Sequence, residues 1–147
     1  MSQRSHSILS TIASAGLALS TATAGMAESG GGGISIELNQ TEEQEGGMCR
    51  LTFLAQSRLD ANVEQLVIET VLFNRDGQVH ALTLFDFEDL PSGKPRVRQF
   101  DLSGLACADL QQVLFNGVET CTVAGATDQE CGVSLTVETR TEVEVAG

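Results

Sequence analysis

From Ile34 to the C-terminus, apolar residues recur at every second position in short runs, and clusters of turn-forming residues separate those runs. Ile34, Ile36 and Leu38 alternate with Ser35 and Glu37. Cys49, Leu51, Phe53 and Ala55 alternate with Arg50 and Thr52. A period of two puts successive side chains on opposite faces, so each run reads as a half-buried strand. Residues 63–73 are apolar on both faces, the pattern of a central strand covered on both sides.

The punctuation is equally local. Residues 41–47 form an acidic, glycine-ended loop. Asn74-Arg75-Asp76-Gly77 reads as a tight hairpin turn before a strand over 79–87. Residues 90–95 hold both prolines and read as another turn, ahead of a strand over 96–102. Residues 107–110 suggest a short helical turn leading into a strand that ends near Cys121. From Cys131 the alternation continues through Val133, Leu135, Val137, Val143 and Val145, and predicts one long final strand. About seven strands with no long helix predict an immunoglobulin-like antiparallel β-sandwich over residues 34–147.

Residues 1–27 read as a signal peptide. Arg4 is the positive n-region, residues 8–19 carry no charge, and Gly25-Met26-Ala27 offers a small-residue cleavage site. The apolar stretch is too short to span a bilayer, which takes about 20 apolar residues. Residues 28–33 form a glycine-rich tether. The expected location is periplasmic or secreted, with no membrane insertion of the mature chain.

Four cysteines, Cys49, Cys107, Cys121 and Cys131, follow the signal, an even number in an exported chain. No two are spaced as C-x-x-C, which argues against a redox pair or a zinc site. If consecutive strands alternate in direction, Cys49 opens the second strand and Cys107 the sixth, at the same end of the sandwich. Cys121 closes the sixth strand at the other end, where Cys131 opens the seventh. Of three connectivities, Cys49–Cys107 with Cys121–Cys131 is therefore the expected one.

The segments LNQTEEQEGGMCRLTFLAQS, VIETVLFNRDGQV, FDLSGLACADLQQVLFNGVETC and CGVSLTVETR resemble a group of small exported alphaproteobacterial proteins often labelled twin-arginine signal domain proteins. The twin arginines themselves are absent, since Arg4 stands between Gln3 and Ser5. VIETVLFNRDGQV is also similar to the FxLYD-type immunoglobulin-like domains. Both resemblances imply an exported β-domain, and neither implies a catalytic residue.

Twenty acids stand against eight Lys and Arg, a net charge of −12. That balance excludes the clustered basic surface that nucleic acid or an anionic membrane requires. His80 is the single histidine after the signal, and no G-x-S-x-G accompanies it. The acids of two loops, Glu42, Glu43 and Glu45 and then Asp86, Glu88 and Asp89, are the available carboxylates. The second trio is the candidate calcium site, although it lacks the length and central glycine of an EF-hand loop. No cofactor is implied.

The sequence reading is thus a binding or accessory module of the cell envelope with no catalysis and with a protein partner of basic surface. Its expected partner face is the final strand's polar row, Glu138, Glu142 and Glu144. One alternative is a small hydrolase or metal-dependent enzyme built on loop carboxylates, which requires Asp86, Glu88 and Asp89 to converge with His80. A structural envelope protein without a specific ligand is the other.

Overall fold

A computed structural model of the chain describes residues 32–126 and 134–147. The expected signal peptide, most of the tether and Cys131 lie outside the described residues. Eight strands follow in order: β1 (Ile34–Gln44), β2 (Met48–Ser57), β3 (Val63–Asn74), β4 (Val79–Leu90), β5 (Arg96–Leu102), β6 (Leu110–Val123), β7 (Leu135–Thr139) and β8 (Glu144–Ala146). They form two four-stranded sheets, the first ordered β5-β2-β1-β7 and the second β4-β3-β6-β8. The expected all-β sandwich is the fold. One helical element is described, a single 3-10 turn at Cys107–Asp109 just before β6, where the sequence placed a helical turn.

Two local expectations change. The acidic loop at 41–47 shrinks to Glu45, Gly46 and Gly47, because β1 continues to Gln44 and pairs there with Met48. Both glycines take positive φ, 81° and 71°, and so let the chain reverse in three residues. The long final strand is two strands. After Arg140, whose N–H donates to the Leu38 carbonyl, the amides leave the ladder. Thr141 N–H donates to Thr139 Oγ1 at 3.0 Å, and Val143 N–H donates to Thr141 Oγ1 at 3.1 Å. Threonine hydroxyls competing for backbone amides in this way end a strand. The chain then crosses to the other sheet, burying Val143 on the way.

That crossing also corrects the expectation of purely antiparallel sheets. β7 runs parallel to β1, and β8 runs parallel to β6, so both sheets are mixed. The hairpin turn at 74–77 stands as read. Asn74 Oδ1 accepts from Asp76 and Gln78 N–H at 3.1 and 2.9 Å, and Gly77 takes φ 74°.

The inward rows of the two sheets meet in one core that includes Ile36, Leu38, Leu51, Leu66, Ile68 and Val113. Phe53 of β2 is at its centre. Its ring lies 5.7–6.0 Å from those of Phe85, Phe87, Phe100 and Phe115. The Cys49–Cys107 disulfide closes one end, joining β2 of the first sheet to the turn that feeds β6 of the second. The first expected pairing is therefore present. The second, Cys121–Cys131, has a partner outside the described residues. A structural disulfide of this kind indicates an oxidising, extracytoplasmic compartment. No helix among the described residues is long and apolar enough to cross a membrane.

Candidate functional site

Asp86, Glu88 and Asp89 all lie near the end of β4, and the neighbours of Glu88 and Asp89 are guanidinium groups. Asp89 accepts from Arg98 through Oδ1 at 3.1 Å and from Arg96 through Oδ2 at 3.3 Å. Glu88 Oε2 lies 3.3 Å from Arg98, and Asp86 Oδ1 accepts from the Glu88 N–H at 2.8 Å. The positive charge beside Glu88 and Asp89 is supplied by the protein itself. His80 is at the other end of the same strand, six to nine residues away, which at strand rise is roughly 20–30 Å. The histidine and the three acids therefore do not meet. Among the described residues, no three His, Cys, Asp or Glu side chains gather as metal ligands would.

The acids expected to form one polar row are divided between the sheets. Glu138 is on β7, Glu142 is exposed in the crossover, and Glu144 is on β8. They share one side of the sandwich instead of one strand face.

The outer face of the first sheet is mostly polar. Arg50 meets Asp101 in a two-pronged pair at 2.7 and 2.8 Å, Gln99 donates to Thr52, and Arg140 meets Glu37 at 2.7 Å. The hydrogen bond from Arg50 holds the Asp101 carboxyl below the usual carboxylate range, and the one from Arg140 does the same for Glu37, helped by Asn39. A carboxyl whose folded pKa is depressed contributes stability above its unfolded value, which is lost as pH falls through the folded one. Thermal stability should therefore fall as acid is added below pH ~4. In Arg50→Ala the fall should be shallower, as thermal scans across acidic pH would read.

The outer face of the second sheet is different. Leu82 of β4 stands directly opposite Val71 of β3, Val71 opposite Leu114 of β6, and Leu114 opposite Ala146 of β8. One apolar row thus crosses all four strands on the side away from the core. Val71 is only 7% exposed yet is not part of the inner cluster, since its neighbours in the row shield it. Leu82 is 62% exposed and Leu84 54%. Phe73 is half-buried and is the one phenylalanine outside the ring cluster. Acids rim the row, with Glu69 beside Leu84 on one flank and Glu144 beside Gln112 on the other.

Sequence reasoning missed this face, although a signal for it existed. β3 is apolar on both sides, and the central strand that pattern predicted is there, between β4 and β6. Its inner side is covered, but no described element lies over its outer side. Leu82 and Leu84 lie on the same parity of β4 and extend that bare surface.

No protein-family model matches the chain, and no curated protein matches it in sequence. Among solved structures, the chain is similar to IrmA from Escherichia coli, at 18% identity over 74% of this chain and 92% of that one, with a TM-score of 0.49.

Proposed function

We propose that the chain is a protein-binding module of the periplasm or the extracellular space, working through the outer face of its second sheet. The observation that carries this reading is the apolar row Leu82–Val71–Leu114–Ala146, open on the side away from the core. Monomeric proteins rarely leave a large contiguous apolar surface to water, and those that do commonly use it to bind. The partner is a protein with an apolar patch ringed by Lys and Arg. Glu69, Asp86 and Glu144 around the row, and the net charge of −12, complement such a ring. Long-range attraction of this kind raises the association rate more than the final affinity.

Leu82→Asp should weaken binding to that partner by about a hundredfold, because it sets an unpaired carboxylate against the partner's apolar patch. It should leave the melting temperature nearly unchanged, because Leu82 projects into solvent. Glu144→Lys should slow association and flatten its dependence on salt. Binding that survives Leu82→Asp at full strength would reject the outer face as the working surface.

A further inference from the structure

Each sheet ends in two edge strands, so four rows of backbone groups lack a neighbouring strand among the described residues. Three of them carry devices that discourage pairing with another chain. β8 is three residues long and begins at Glu144. β7 is five residues long and carries Glu138. β5 carries Arg96, Arg98 and Asp101 within seven residues.

β4 is the exception from Ala81 to Phe85, where it pairs with β3 in unbroken register, the irregularity at its start falling beside His80. It is twelve residues long, and only its second half is closed. There Arg98 reaches across from β5 and donates to the carbonyls of Phe87 at 2.7 Å and Asp89 at 3.1 Å. Its first half, residues 79–85, contains no Asp, Glu, Lys or Arg, in a chain that carries 20 acids. Val79 and Leu82 are the two most exposed large apolar residues described. A groove of about 240 Å³ opens beside this half, between residues 80–83 and residues 101–103, where Arg98 no longer bridges the two strands.

We propose that residues 81–85 of β4 pair antiparallel with the same segment of a second copy of this chain. The choice of occupant follows from charge and symmetry. With a net charge of −12, two copies repel over most of their surface. The uncharged half of β4 lets them meet without opposing carboxylates. An antiparallel pair about a two-fold axis makes one edge its own complement. An axis at Thr83 places Leu82 beside Leu84 of the second copy and Ala81 beside Phe85, all within the regular part of the strand, and such cross-strand contacts stabilise a sheet. The two second sheets then become one eight-stranded sheet, and their apolar outer rows run on from one copy to the next. The dimer stands independently of the partner proposed for that face.

The test is sedimentation equilibrium of the protein purified from producing cells, from micromolar to millimolar concentration, with hydrogen exchange at both limits. The expected result is a monomer–dimer equilibrium in which edge-facing amides of residues 81–85 gain protection as concentration rises. Dimerisation should strengthen with added salt, which screens the repulsion between copies, whereas association with a basic partner should weaken. Thr83→Lys puts a charge at the edge on the side away from the outer row. It should raise the dimer dissociation constant by about tenfold or more and leave partner binding intact. A monomer at every concentration, a dimer protected at β7 or β8 instead, or a Thr83→Lys dimer as tight as the parent would each overturn the proposal.

Discussion

Replacing Cys49 and Cys107 together by alanine is expected to lower folding stability by about 4 kcal/mol. The bond closes a loop of 58 residues, so its removal returns a large amount of chain entropy to the unfolded state. The position adds to the effect. Cys49 is fully buried on β2, and Cys107 precedes β6, so the bond ties the two sheets together at one end. The same turn is held by Glu43, whose carboxylate accepts from the Cys107 N–H at 2.7 Å. That contact joins β1 to the turn but closes no covalent loop, and it cannot replace the disulfide. For a domain with about 5–15 kcal/mol in total, the loss should show as a fall in melting temperature of roughly 10 °C or more. Thermal unfolding of the double variant reads it directly, and a change below about 1 kcal/mol would mean that the bond is incidental to folding.

Phe53→Ala is the second large effect. Phe53 and Phe100 come from the first sheet, while Phe85, Phe87 and Phe115 come from the second. Phe53 is fully buried, and it is the ring that all four others contact. Truncating a buried phenylalanine typically costs about 3–5 kcal/mol, from lost burial and from the cavity left behind. Phe85 and Phe100 stack at 4.1 Å and would keep part of the cluster in place, which limits how far the space can collapse. Leu82→Ala is the matching control on the other side of the second sheet. Leu82 is an exposed side chain, so its truncation should change stability by no more than about 0.5 kcal/mol. Chemical denaturation of the two variants side by side separates the core face from the outer face. Equal costs would contradict that assignment.

What could be read from the sequence was what is encoded within a few residues. Asn74 and Gly77 specify their turn through their own hydrogen bonds and dihedrals, and Ile34, Ile36 and Leu38 place their face by period alone. The Cys49–Cys107 pairing followed from counting strand directions, although Cys107 proved to lie in the turn before β6. The break between β7 and β8 was not legible, because Val143 and Val145 keep the parity of Leu135 and Val137, and the threonines at 139 and 141 between them suit a strand as well. It depends on the Thr139 and Thr141 hydroxyls turning to the backbone and on a destination in the opposite sheet. Glu138 and Glu144 consequently parted. The acids near the end of β4 read as a cation site because their arginine partners come from β5. The outer apolar face was half legible. The pattern of β3 marked two apolar sides, but a period cannot say whether the second side is covered by the chain itself or left for another molecule.

The most direct test of the binding-module account is site-specific photocrosslinking in cells. A photoreactive side chain would be placed at Leu82 or Leu114 on the outer face of the second sheet, and at Thr52 or Gln99 on the outer face of the first. The account predicts one discrete adduct with a basic protein from the first two positions, weakened when Glu144→Lys is added and distinct in mass from any self-adduct that Leu82 forms through the β4 edge, and none from the other two. Adducts from Thr52 or Gln99 alone, or no adduct from any position, would contradict it.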